Sequence, residues 1–160
     1  MKPVVLLLLF VLVALSYTQI VGKKAVGVKG TLVCGKNPAE NVRVRLFRVK
    51  PGKKDDINQV IDEKITGPGG MFHLEGNTNG FPLNETDIQP VLSFYHHCDD
   101  DPKKLEKTAF RRFNYNVPET FVNQGEKAKK AYEMGTLNIQ IEFPGEKREK
   151  TIVEKNKAPK

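Results

Sequence analysis

The chain predicts an all-β fold, a sandwich or barrel of about seven or eight strands. Three observations lead there. Apolar residues recur with period two in segment after segment. Clusters of Gly, Pro, Asn and Asp separate those segments. Helical periodicity is nearly absent, with one short stretch, Gly125 to Met134, offering a single turn of solvated helix.

The elements follow in order. Val26, Val28, Leu32 and Cys34 share one parity, and Gly35-Lys36-Asn37-Pro38 is a turn signal. In Asn41 to Val49, Val42, Val44 and Leu46 point one way while Arg43, Arg45 and Phe47 point the other, as in a half-buried strand. A weaker strand over Val60 to Thr66 precedes the turn Gly67-Pro68-Gly69-Gly70. Phe72 and Leu74 then define a strand face, and an irregular stretch runs from Asn77 to Asp87. Leu92, Phe94, His96 and Cys98 share a face of the next strand, and Phe113, Tyr115 and Val117 one of the strand after it. The last expected strand is Thr136 to Phe143, with Leu137, Ile139, Ile141 and Phe143 on one parity.

Length and composition fit this reading. The 160 residues are 39% hydrophobic and 28% charged, with two Cys and no Trp. That suits one domain with its own core, and excludes a multi-span membrane protein, a disordered chain and a disulfide-dense scaffold. At the N-terminus Lys2 precedes an unbroken apolar run from Val4 to Leu15, and Ala14-Leu15-Ser16 supplies small residues before a cut at Tyr17. This is the layout of a cleaved secretory leader. The run is too short for a spanning helix, which needs about 20 apolar residues. The expected organisation is a leader at 1–16, an extension at 17–25, a β-domain at 26–143 and a disordered basic tail at 144–160.

Export has consequences. It places the chain outside the cell, where Cys34 and Cys98 are expected as a disulfide rather than as two buried thiols. Net charge is +7, and removing Lys2 leaves +6, of which the tail would carry half. A secreted chain is a poor candidate for chromosomal DNA, so no nucleic acid partner is expected and the basic balance points instead to anionic surfaces.

Several motifs in order resemble a known family. VKGTLVCGKNPAENVRVRLF, GMFHLEG, VLSFYHHCDDD, YNVPETFVNQG and YEMGTLNIQI are similar to segments of the nematode transthyretin-like family, over about Val28 to Ile141. The resemblance implies a secreted transthyretin-like antiparallel β-sandwich, and mostly no defined biochemical activity. Hydroxyisourate hydrolases share the fold and end in a Tyr-Arg-Gly-Ser motif. This chain ends in lysines, and His73 is its first histidine. Gly-x-Ser-x-Gly, His-Glu-x-x-His and a phosphate loop are also missing, so no enzyme and no cofactor are expected. Thyroid-hormone carriage does not transfer, because the pocket side chains of transthyretin are not evidently reproduced.

The candidate site residues are few. His96, His97 and Asp99 flank Cys98 and are weak metal candidates, since adjacent strand residues face opposite sides and an oxidised Cys98 donates no thiolate. Arg43, Arg45, Arg111 and Arg112 form a candidate surface for an anion or partner, because guanidinium groups grip carboxylates and phosphates. The competing reading is ordinary charge on a solvated sheet. Asn84-Glu85-Thr86 is a glycosylation sequon. The expectation is a secreted, non-enzymatic module that binds an extracellular protein, an anionic cell surface or lipid, or a small apolar ligand. Recognition would sit in the loops Asn77 to Asp87 and Asp99 to Lys107. A hydrolase on the same fold and a purely structural protein are the alternatives.

Overall fold

The computed structural model describes residues 22–152, apart from 51, 53–56, 58 and 83. The expected leader and residues 153–160 lie outside them. Ten strands and two short 3₁₀ turns form two sheets. The strands are β1 (Lys24–Cys34), β2 (Asn37–Pro38), β3 (Arg43–Val49), β4 (Gln59–Ile65), β5 (Met71–Asn77), β6 (Gln89–His96), β7 (Phe110–Asn116), β8 (Asn123–Gln124), β9 (Ala131–Asn138) and β10 (Lys147–Glu149). The first sheet is built around β1, which pairs with β2, β5, β8 and β9. The second runs β10-β7-β6-β3-β4. All pairings are antiparallel except β1 with β9, which is parallel.

Alternation places the core between the sheets. Val26, Val28, Leu32 and Leu74 of the first sheet pack with Val44, Leu46, Leu92, Phe94 and Phe113 of the second. All of these are at most 1% exposed. Full burial of one such side chain is worth about 1.5–3 kcal/mol. Phe94 stacks on Phe113 at 4.8 Å between ring centroids and meets Phe72 edge-on at 5.8 Å. Two glycines permit close approaches. Gly70 has φ +68°, and a Cβ there would lie 2.2 Å from the Leu32 carbonyl oxygen. At Gly76 a Cβ would lie 2.7 Å from the Ile61 side chain, which fills that space and joins β4 to β5.

Three expectations are corrected. The stretch Gly125 to Met134 forms no helix; it crosses the first sheet through bends, then becomes β9. Ala128 sits over Gly27, where a Cβ would meet it at 3.0 Å, so the segment is held by packing rather than by helical propensity. The expected strand Thr136 to Phe143 ends at Asn138, because Ile139 begins a turn. Ile139 is still fully buried and Phe143 stacks on Phe113, but Ile141 is 58% exposed. Finally, the described part of the expected basic tail is ordered. β10 pairs with β7, matching Lys147 to Arg112, Arg148 to Arg111 and Glu149 to Phe110. Glu146 and Glu149 of this segment supply what composition alone conceals, which is specific partners for Arg111 and Arg112.

Candidate functional site

β6 joins two polar regions, one beyond each of its ends. Seven residue steps separate Gln89 from His96, or about 23 Å of strand.

Beyond His96 lies the disulfide pole. Cys34 and Cys98 are bridged, with their Cα atoms 5.7 Å apart. The bond ties β1 to the end of β6, and so one sheet to the other. His96 points into the core, 2% exposed, edge-on to Phe113. Its Nδ1 accepts from the Cys98 N–H at 3.2 Å, while Nε2 is buried without a partner. Burial, with the Arg111 charge nearby, lowers its pKa to about 4. His97 faces the other way. Its ring packs on Phe110, and Nδ1 lies 2.9 Å from the Asp100 carboxylate. Asp100 also receives both terminal nitrogens of Arg148, at 2.7 and 2.8 Å. These bonds lower its pKa to about 2.

The metal candidates therefore separate. Among the described residues, one group of three potential ligand residues stands close together: Cys34, Cys98 and Asp99. Its sulfurs are bonded to each other, and Asp99 accepts from Gln140 Nε2 at 3.2 Å. His96 and His97 diverge, as adjacent strand residues must.

The four arginines expected to form one surface do not. Arg43, Arg45 and Arg112 lie on the outer face of the second sheet, whereas Arg111 lies on its other side. Each has a carboxylate partner. Arg43 and Arg45 share Glu63, Arg112 pairs with Glu149, and Arg111 pairs with Glu146. Tyr95 sits between Arg45 and Arg112, with the two guanidinium carbons 5.8 and 5.7 Å from its ring centroid. Arg45 is only 3% exposed and Arg111 8%. Arg111 is further held by the carbonyls of Cys98, Gln140 and Ile141 at 3.1–3.3 Å. These side chains are internal ties rather than an open grip for external anions.

The loop Asn77 to Asp87 is likewise anchored. Lys24 pairs with Asp87, and Arg48 donates to the Asp87 carbonyl at 2.6 Å while lying over the Phe81 ring. Asn84 is exposed there, two residues before the buried Thr86. The other expected recognition loop holds a 3₁₀ turn, Pro102–Lys107, whose residues are all exposed and whose first N–H groups are capped by Asp101.

At the opposite end of β6 is a cleft that sequence reading missed. Its volume is about 450 Å³. Val49, Pro90, Val91 and Val117 give it apolar walls, while Gln89, Asn114, Asn116 and Glu119 supply polar groups. The register places Asn116 opposite Val91, Asn114 opposite Ser93 and Gln89 opposite Val49. Ser93 donates to Asn114 Oδ1 at 2.6 Å. The side chains of Gln89, Asn116 and Glu119 make no hydrogen bond or ion pair with another described residue. The one available signal was the alternation of Asn114 and Asn116 in a strand whose other face is aromatic.

Comparisons with known proteins agree with one another. The model of the transthyretin-like family matches residues 29–118. Transthyretin-like protein 33 of Caenorhabditis elegans is 37% identical over 141 residues, covering 88% of this chain and 91% of that protein. Transthyretin-like protein 46 of the same worm is 37% identical over 143 residues, covering 88% and 75%. Transthyretin-like protein 5 is 31% identical over 144 residues, covering 90% and 96%.

Proposed function

Because this chain belongs to the transthyretin-like family, we propose that it is a secreted, non-enzymatic module that binds an extracellular partner through the cleft at the Gln89 end of β6. The observation that carries this reading is a contrast in polar pairing. The charged side chains on the outer face of the second sheet engage one another, whereas Gln89, Asn116 and Glu119 in the cleft have no side-chain partner among the described residues. Such groups, converging over apolar walls, are the usual makings of a small-ligand site.

Export is supported by the leader-like N-terminus and by the Cys34–Cys98 bridge, a bond that persists in oxidising compartments. The non-enzymatic reading is supported by the chemistry of the candidate nucleophile and bases. Ser93, the one serine after the expected leader, gives its hydroxyl hydrogen to Asn114. His96 is buried.

Expression in a eukaryotic secretory host tests the first half. The expected product is in the medium, begins at Tyr17, and carries a glycan on Asn84 that Asn84→Gln removes. A full-length, intracellular, unmodified product would refute export. Capture from cell-surface extract tests the second half. Binding through the cleft should persist at high salt, since no Lys or Arg stands among its described lining residues. Loss of capture on raising the salt would show that net charge alone was acting.

A further inference from the structure

We propose that the cleft takes a neutral, hydroxyl-rich ligand, an uncharged oligosaccharide; this rests on the binding role proposed above and names the ligand class for that same site. The argument begins with the hydrogen-bonding inventory. Each carboxamide offers two N–H donors and a carbonyl acceptor, and a carboxylate accepts only. Gln89, Asn116 and Glu119 keep all of these groups available, while Asn114 has its oxygen engaged by Ser93 and its amide nitrogen unengaged. A set mixing donors and acceptors suits hydroxyl groups, which are both at once. The walls formed by Val49, Pro90, Val91 and Val117 suit the C–H faces of a sugar ring.

Other ligand classes fit less well. An anion would meet Glu119, and no Lys or Arg stands among the described lining residues. A wholly apolar ligand would cover the amides without pairing them, at about 1–3 kcal/mol for each group. A peptide adding as a strand would need free backbone groups, but the Val117 N–H already donates to the Pro90 carbonyl at 2.9 Å, and β6 and β7 are paired to each other. At about 450 Å³ the cleft lies within the usual range for small-ligand sites, roughly 300–1,000 Å³.

The test is a titration of the secreted, disulfide-bonded protein, followed by calorimetry and by NMR of side-chain amides. The probes are neutral tetrasaccharides of glucose, mannose, galactose and N-acetylglucosamine. A sulfated oligosaccharide, anionic lipid vesicles and a fatty acid run beside them. At least one neutral sugar should bind and shift the side-chain amide signals of Gln89, Asn114 and Asn116. Its affinity should change less than about twofold between low and high salt. The pair Gln89→Ala and Asn116→Ala should weaken it at least about tenfold, the loss of one to two hydrogen bonds, with the melting temperature unchanged.

Two outcomes would overturn the ligand class. One is amide shifts with the sulfated, lipid or fatty-acid probe and none with neutral sugars. The other is sugar binding that survives the paired substitution. The first leaves the binding role itself standing, to be tested by capture from cell-surface extract, whereas the second also removes the cleft as the site of that role. If extract is captured while no sugar binds, the sugar proposal fails and the module reading holds.

Discussion

The two ends of β6 are made from similar polar material and use it in opposite ways. At the Cys98 end, Asp100, Glu146, Arg111 and Arg148 are bound to one another and to backbone carbonyls, over a disulfide. At the Gln89 end, amides and a carboxylate face an open cleft with Ser93 as the single side-chain partner. The difference teaches that polar composition does not mark a site. Whether the polar groups are engaged by the fold separates the two ends. One end ties the sheets together, and the other leaves its polar groups open to solvent.

The largest test of this contrast removes the bridge. Replacing both Cys34 and Cys98 with Ala should cost about 4 kcal/mol in denaturant unfolding, from the chain entropy of a loop this long. A loss under about 1 kcal/mol would mean that the pole is held chiefly by its ion pairs. Next comes Arg111→Ala. It leaves Glu146 buried without its guanidinium and three carbonyls without a donor, which should cost about 3 kcal/mol. An unchanged midpoint would show that the pair contributes nothing net.

The acid limb of stability sharpens the same region. The folded pKa of His96 is about 4, below its unfolded value of 6.5, so the unfolded chain binds the proton more readily. Its contribution is complete above pH 6.5 and falls away as pH drops toward 4, by on the order of 2–3 kcal/mol. Asp100, depressed to about 2 from 3.8, adds a further loss below pH 3.8. In His96→Gln, stability should fall less steeply between pH 6.5 and 4 than in the parent, as read by melting temperature against pH; a slope as steep as that of the parent would place the titrating group elsewhere. The smallest effect belongs to the cleft. Gln89→Ala and Asn116→Ala should each stay within about 0.5 kcal/mol, because neither residue holds a described side-chain partner. A loss above about 1 kcal/mol would make the cleft part of the structural framework.

Much of this fold was legible because a strand has period two and a buried face. The facing directions of Val44 and Leu46 against Arg43 and Arg45 read correctly for that reason, but the half-buried strand is corrected: Arg45 is 3% and Phe47 0% exposed, so β3 is buried on both faces. β9 read poorly because the chain turns at Ile139, so the parity of Leu137 and Ile139 does not carry through to Ile141. The tail read poorly because lysine-rich composition hides two glutamates that have specific partners. The arginine surface was misassigned because Glu63 and Glu149 come from neighbouring strands, far away in sequence. The cleft was invisible for a related reason. Val49, Gln89, Asn116 and Glu119 belong to separate segments that meet only through sheet register.

The bridge also shapes how this chain meets a protease. Cys34 and Cys98 enclose 64 residues of sequence separation, including all of β3, β4 and β5 and the connection between β3 and β4. A single cut within that span leaves two fragments still joined covalently. Both fragments also remain hydrogen-bonded in the same sheets, so one nick does not release either piece. The nicked molecule should run as a single chain on a non-reducing gel and as two after reduction. The bond thereby makes covalent continuity independent of any single peptide bond between Cys34 and Cys98.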